Sequence, residues 1–278
     1  MDWNRIIELN NENRADLHIH TCFCDGQDPP ETMVRSAIEK GMLAIGFSGH
    51  STTDFDREAC MSEAETRGYR KEIARLKEKY EGTIEIYCGL ERDFYDAGFD
   101  KGAGFDGDPE TGGGSGWDYF IGSVHYLETK SGHPSVDDTP EMLEEAIEND
   151  YGGDPYALIE DYYENVSQVA EKLGADVVGH FDLVSKYNAG GENGKPGRFF
   201  DEGDPRYRAA WRKAADRLLQ EDVLFEINTG AVSRGYRSEP YPSREIRDYL
   251  RERGGRFLLS SDSHAAETIG YGFGTLQI

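Results

Sequence analysis

Seven short stretches of the chain are almost entirely apolar or β-branched, and helical periodicity fills most of the intervals between them. The stretches are 16–20, 43–48, 83–90, 117–125, 176–180, 223–228 and 256–260, and their length and composition predict buried strands. Between them, Leu158, Tyr162, Val166, Val169 and Leu173 recur every three or four residues ahead of Gly174, which predicts an amphipathic helix with a glycine stop. Tyr207, Trp211, Ala214 and Leu218 repeat the pattern. Ser62 and Glu65 have the spacing of a capping box and open a predicted helix over 64–80 that carries Ile73 and Leu76 on one face. Further helices are predicted over 31–40, 140–149 and 242–253, the last two with proline near the start, where its missing N–H costs nothing.

Strand and helix alternating in this way imply an α/β protein with a mainly parallel sheet, either closed as a barrel or open and doubly wound. The 278 residues form one domain of a size usual for an α/β barrel, about 250 residues. No internal repeat is visible. Two segments break the rhythm: 97–116, where eight of twenty residues are glycine, and 190–204, where five of fifteen are. Both are predicted as long loops, the first as an insertion, and loops of that length are either functional lids or unstructured.

Histidine placement carries the candidate chemistry. Of seven histidines, six fall at or just past the end of a predicted strand: His18 and His20 in DLHIH, His50 in GFSGH, His125 in IGSVH, His180 in DVVGH and His264 in SSDSH. Carboxylates join them at the same edge, with Glu91 closing IYCGLE, Asp262 two residues before His264, and Asp25 after His20. A lone histidine is usually a hydrogen-bonded structural residue. Here five strands each deliver one to the same end, and in a barrel those ends converge on one face. Residues two apart in an extended strand point the same way, so His18 and His20 form a pair, as do Asp262 and His264.

Mixed imidazole and carboxylate donors suit zinc, manganese or iron, whereas calcium and magnesium prefer oxygen. Six histidines and three carboxylates exceed what one ion uses, so two or three divalent transition-metal ions would share the site, bridged by a carboxylate. Such a cluster lowers the pKa of bound water toward about 7 and clamps both oxygens of an in-line displacement, which is machinery for phosphate-ester hydrolysis. No Ser-His-Asp order, phosphate loop or dinucleotide fingerprint competes with it. After the sixth strand, Arg234, and secondarily Arg237, would clamp a phosphate.

Composition narrows the partners. The formal charge of −24, from 54 acidic against 30 basic residues, excludes a nucleic-acid or anionic-membrane binder, which would need clustered cations. No run of about 20 apolar residues could span a membrane, and the first residues lack the apolar core of a signal peptide, so a cytoplasmic location is expected. Cys22, Cys24, Cys60 and Cys88 are too few and irregular for a disulfide framework. Cys22 and Cys24 are read as spectators beside the first histidine pair, and His133 as exposed. Tyr126, Tyr236 and Tyr241 are candidates for stacking on a substrate ring.

In order, DLHIHTCFCDG, GFSGH, GLE, SVH, VVGHFD, EINTG and SSDSH resemble the polymerase and histidinol phosphatase (PHP) family of metal-dependent phosphoesterases. EINTG followed by arginine and EPYPS, with HFDLV after the fifth strand, is most similar to its histidinol-phosphatase branch. The resemblance implies a distorted (β/α)7 barrel, similar to a TIM barrel, with a trinuclear metal centre at the C-terminal ends of the strands. It implies that His18, His20, Glu91 and Asp262 hold one ion, Glu91, His125 and His180 a second, and Asp25, His50 and His264 a third. A metal-bridging hydroxide would attack phosphorus, with Asp262 or His264 assisting protonation of the leaving alkoxide. Where the family often has arginine after HFDL this chain has Val184-Ser185-Lys186-Tyr187, making Lys186 a further phosphate contact. The implied activity is hydrolysis of L-histidinol phosphate to L-histidinol and phosphate. The alternatives are another small phosphomonoester, a nucleotide or phosphotyrosine as substrate, or a metal-binding module without catalysis.

Overall fold

A computed structural model describes residues 1–95, 116–188 and 197–275. A strand forms at each predicted stretch, though β1 and β5 are only two residues long and His18 and His20 fall beyond β1: β1 (Ala15–Asp16), β2 (Ala44–Phe47), β3 (Glu85–Asp93), β4 (Tyr119–Ser123), β5 (Val177–Val178), β6 (Leu224–Asn228) and β7 (Arg256–Ser260). They pair in chain order, each neighbour parallel, in one seven-stranded sheet. The order never reverses, as it would at the switch point of a doubly wound sheet, and the sheet curls into a nearly closed barrel.

The seam between β1 and β7 is closed largely by side chains. Asn10, buried at the end of helix α1 (Trp3–Asn11), donates from Nδ2 to the carbonyls of Ala15 (2.9 Å) and Leu259 (2.6 Å) and accepts the Leu259 N–H (2.8 Å). Above it, Ile19 and Ser263 form an isolated parallel bridge. The sequence pattern had predicted no helix at 3–11, yet its Ile6 and Leu9 complete the barrel's inner cluster with Leu17, Ile121, Val177 and Leu258. Tyr119 sits in that cluster, its hydroxyl donating to the carbonyls of Phe47 (3.2 Å) and Leu17. Its ring lies over Gly89, where an added Cβ would come within 2.3 Å of it. Only glycine leaves room for this buried tyrosine.

Two outer layers flank the sheet. Helices α2 (Pro30–Glu39) and α3 (Glu63–Lys79) bury Val34, Ile73 and Leu76 in one cluster with Ile45 and Ile86. The Ser62–Glu65 capping box opens α3 as predicted. The other cluster is built by α4 (Pro140–Asp150), α5 (Pro155–Val166), α6 (Val169–Leu173), α7 (Pro205–Leu218) and α9 (Arg244–Glu252), with Leu158, Trp211 and Ile246 among its buried residues. The helix read through Leu158 to Leu173 is two helices. Ser167 Oγ and Gln168 Nε2 both donate to the Glu164 carbonyl, at 2.7 and 3.1 Å, a local competition for backbone acceptors of the kind that breaks helices. A one-turn helix α8 (Gly230–Ser233) follows β6. Most of the glycine-rich stretch at 97–116, and part of that at 190–204, lies outside the described residues. No helix among the described residues is long and apolar enough to cross a membrane.

Candidate metal centre and active site

All nine residues singled out as ligands meet at the C-terminal ends of the strands. The barrel turns residues 244 and 239 positions apart in sequence into neighbours: His18 Nε2 lies 3.7 Å from Asp262 Oδ1, and His264 Nε2 3.0 Å from Asp25 Oδ2. Glu91, fully buried on β3, is the hub, and its two oxygens divide the cluster. Oε2 faces His18 (3.1 Å), His20 (3.3 Å) and His50 (3.3 Å), while Oε1 faces His180 (2.9 Å) and His125 (3.8 Å) and accepts a hydrogen bond from Ser123 (2.6 Å).

Among the described residues, donor atoms gather in four overlapping groups: His18, His20 and Asp262; Glu91, His125 and His180; His20, Asp25, His50 and His264; and His50, Asp93 and His125. The first three overlap the sets implied by the resemblance, with two departures: Glu91 is not in the group of His18, His20 and Asp262, and His20 joins Asp25, His50 and His264, its Nδ1 lying 3.3 Å from Asp25. Three buried imidazole nitrogens of these histidines, His20 Nε2, His50 Nδ1 and His180 Nδ1, have no hydrogen-bond partner, and for the first two carboxylates lie 3.3 Å away. Buried polar nitrogens are seldom left unpaired, and divalent cations among them would satisfy both nitrogens and carboxylates. The donors therefore fit metal ions.

Electrostatics agree with a cation site. Burial by itself raises the Glu91 carboxyl pKa, but the imidazoles of His18, His50 and His125 hold it well below the usual carboxylate range. Asp262, similarly opposed by burial, is pulled down by Arg234 and His18, and Asp25 by His50 and His20. Burial lowers the His18 pKa, yet Glu226, Glu91 and Asp262 outweigh it and raise it well above the ordinary imidazole value. His50 goes the other way, because burial exceeds the pull of Glu91 and Asp25.

Asp262 reaches the centre by a route that strand alternation does not describe. β7 ends at Ser260, and Asp262 has a φ of +51°, left-handed backbone that a residue with a side chain seldom adopts. Its carboxylate and the His264 ring enter the site across this kink. Arg234, in the loop after α8, donates from Nη2 to Asp262 Oδ2 at 3.0 Å and from Nη1 to the Asp262 carbonyl at 3.1 Å.

A cleft of about 370 Å³ opens over these groups, within the range of small-ligand sites. Lys186 and Arg234 are the lysine and arginine among its lining residues, and Asp56, Asp137 and Asp138 line it away from the ligand set. Lys186 Nζ pairs with Asp137 Oδ2 at 3.0 Å. Arg237 is placed differently. It donates to the Ser185 carbonyl at 3.2 Å and to the Ser185 hydroxyl, and it is not among the lining residues. Tyr126 and Tyr236 line the cleft, whereas Tyr241 is buried beneath Arg237. His133 is half-buried against Phe55, ring centroids 4.2 Å apart. Cys24 is no bystander in geometry, since its Sγ lies 3.6 Å from His20 Nδ1.

Two buried carboxylates escaped the sequence reading. Asp93 Oδ1 meets His125 Nδ1 at 2.6 Å, and Glu226 Oε1 meets His18 Nδ1 at 2.5 Å. The signal for Asp93 was available: it follows Glu91 by two on β3, the spacing that pairs His18 with His20. Glu226 lies on β6, the strand that carries no ligand; it opens the EINTG motif, but that motif gave it no role.

Comparison with known proteins agrees with the geometry. The PHP domain profile matches residues 16–230, and the chain belongs to that family of phosphoesterases. Two relatives carry the name "Probable histidinol-phosphatase". The one from Deinococcus radiodurans is 29% identical over 262 residues, 93% of this chain and 89% of the relative. The one from Schizosaccharomyces pombe is 25% identical over 269 residues, 90% of this chain and 80% of the relative. Among solved structures, a candidate histidinol phosphatase from Listeria monocytogenes superposes with a TM-score of 0.79 at 26% identity, over 94% of this chain and 99% of that one. A Lactococcus lactis histidinol phosphate phosphatase, crystallised with zinc, L-histidinol and phosphate, shares the fold with a TM-score of 0.65 at 23% identity, over 91% of this chain and 87% of that one.

Proposed function

We propose that this protein hydrolyses a small phosphomonoester, and specifically L-histidinol phosphate, water adding to phosphorus as the P–O bond to the alcohol breaks, to yield L-histidinol and phosphate. The observation that carries this reading is Glu91, whose two oxygens each face a separate set of imidazoles inside one cleft of small-ligand size. That division suits a bridging ligand. His18, His20, Glu91 and Asp262 would hold one ion, Glu91, His125 and His180 a second, and Asp25, His50 and His264 a third. Divalent zinc, manganese or iron, when bound, supplies positive charge for the phosphoryl oxygens and lowers the pKa of water.

The chain's own groups do the rest. Arg234, which lines the cleft beside Asp262, would receive phosphate, with Lys186 as a second cation. Asp262 or His264 would assist proton transfer to the departing alkoxide oxygen, by way of water at the site. Asp56, Asp137 and Asp138 on the same cleft favour a substrate that is anionic at its phosphate end and cationic at the other, as histidinol phosphate is, and disfavour a nucleotide. The names of the 29% and 25% identical relatives support the same substrate.

The test is phosphate release by the metal-loaded protein from histidinol phosphate, nucleoside monophosphates, phosphotyrosine and simple sugar phosphates. A kcat/KM for histidinol phosphate at least tenfold above the others is expected. A higher value for any other ester transfers the function to that substrate, and no release from any of them refutes the catalytic reading.

A further inference from the structure

Glu226 is a buried carboxylate with four hydrogen-bond partners and belongs to none of the sets just described. Its Oε1 meets His18 Nδ1 at 2.5 Å and accepts a hydrogen bond from the Ser260 hydroxyl. Its Oε2 accepts the backbone N–H of His180 at 2.7 Å and Asn228 Nδ2 at 3.0 Å. An ionised carboxylate offers about four lone-pair sites, so these four partners use its capacity and leave none for an ion. The residue is 1% exposed.

Those partners come from four places in the fold. His18 follows β1, His180 follows β5, Asn228 ends β6 and Ser260 ends β7. His18 belongs to the donor group with His20 and Asp262, and His180 to the group with Glu91 and His125. Glu226 therefore touches one member of each, by a ring nitrogen in the first and by backbone in the second. Asp93 offers a contrast, because among the described residues its hydrogen bonds go to His125 alone, from both the ring Nδ1 (2.6 Å) and the backbone N–H (3.1 Å).

The geometry points to Glu226 as a positioning residue that sets two metal pockets at once. Accepting a hydrogen bond from His18 Nδ1–H fixes the tautomer in which Nε2, on the side of Glu91 and Asp262, carries a free lone pair. Accepting the His180 N–H anchors the backbone from which the second imidazole projects. Carboxylates hydrogen-bonded to ligating histidines typically matter by about 10- to 100-fold in metal affinity. An amide in the same place cannot serve both sides, since whichever edge receives its NH2 faces either His18 Nδ1 or the His180 N–H. The inference rests on the metal reading proposed above.

The experiment is chelator competition on the zinc-loaded protein, with zinc counted per chain, for wild type, Glu226→Gln and Asp93→Asn. Glu226→Gln is expected to weaken two zinc sites by about 10- to 100-fold each, and Asp93→Asn only one. Equal affinity and stoichiometry in wild type and Glu226→Gln would overturn the inference, as would loss confined to one site. A wild type that retains no zinc, manganese or iron would instead refute the underlying metal reading. Because Glu226→Gln could misfold, histidine-¹⁵N NMR of the wild-type zinc protein provides a second readout. His18 is expected as the Nδ1–H tautomer with Nε2 metal-bound, and the opposite tautomer would overturn the inference without any variant.

Discussion

Arg234 and Asp262 are joined twice, side chain to side chain at 3.0 Å and guanidinium to backbone carbonyl at 3.1 Å. A residue proposed to receive phosphate is thus already held by a proposed metal ligand, and it holds that ligand's left-handed backbone in return. Removing the guanidinium takes away charged hydrogen bonds worth about 1.5–3 kcal/mol. Arg234→Ala is expected to raise KM, and the inhibition constant for inorganic phosphate, by about 10- to 100-fold with a smaller fall in kcat. Steady-state kinetics with phosphate as competitor provide the check, and an unchanged KM would move the clamp to Lys186.

Glu91 supplies both halves of the cluster, so its loss cannot be local. Glu91→Ala and His20→Ala are each expected to lower metal content, measured by elemental analysis of the purified protein, and to abolish phosphate release. Full activity in either variant would contradict a shared centre.

His125 predicts a pH dependence. Burial lowers its pKa, but Asp93 and Glu91 together raise it from 6.5 to about 10. In protein stripped of metal, the folded state therefore holds this proton more tightly than the unfolded chain. The resulting stabilisation is complete below pH 6.5 and is lost as pH rises through about 10. Metal requires the neutral ring, so uptake near pH 8 should expel protons and apparent affinity should climb with pH over the same interval. Calorimetric zinc titrations in buffers of different ionisation enthalpy count those protons. Asp93→Asn should release fewer, and absence of any release at pH 8 would be incompatible with the assignment.

The barrel interior makes a separate prediction about stability. Gly89→Ala would place a methyl 2.3 Å from the fully buried Tyr119 ring, which also bonds two backbone carbonyls and cannot swing aside freely. Overpacking of this kind costs about 1–3 kcal/mol, and urea unfolding should show it as a lower midpoint with an unchanged slope.

Much of this protein is local in origin and was legible in the residues. A strand of five apolar residues followed by an amphipathic helix needs no neighbour to be recognised, and alternation in extended chain pairs His18 with His20 whatever surrounds them. The ligand types and their position at strand ends were therefore readable, as was the capping box that opens α3. Helix α1 was missed although Trp3, Ile6 and Ile7 have helical spacing, and its decisive residue is a polar one, Asn10, which bonds the Ala15 carbonyl and, 249 positions away, both backbone groups of Leu259. The division of Glu91 between two sets of imidazoles, the turning of Arg237 onto Ser185, and the four-way grip of Glu226 likewise depend on which strands become neighbours once the barrel closes. Residue type and periodicity follow from the chain alone, whereas the partner of a buried charge is decided by contacts between distant segments, where desolvation leaves each carboxylate no choice but the donors that the closed sheet presents.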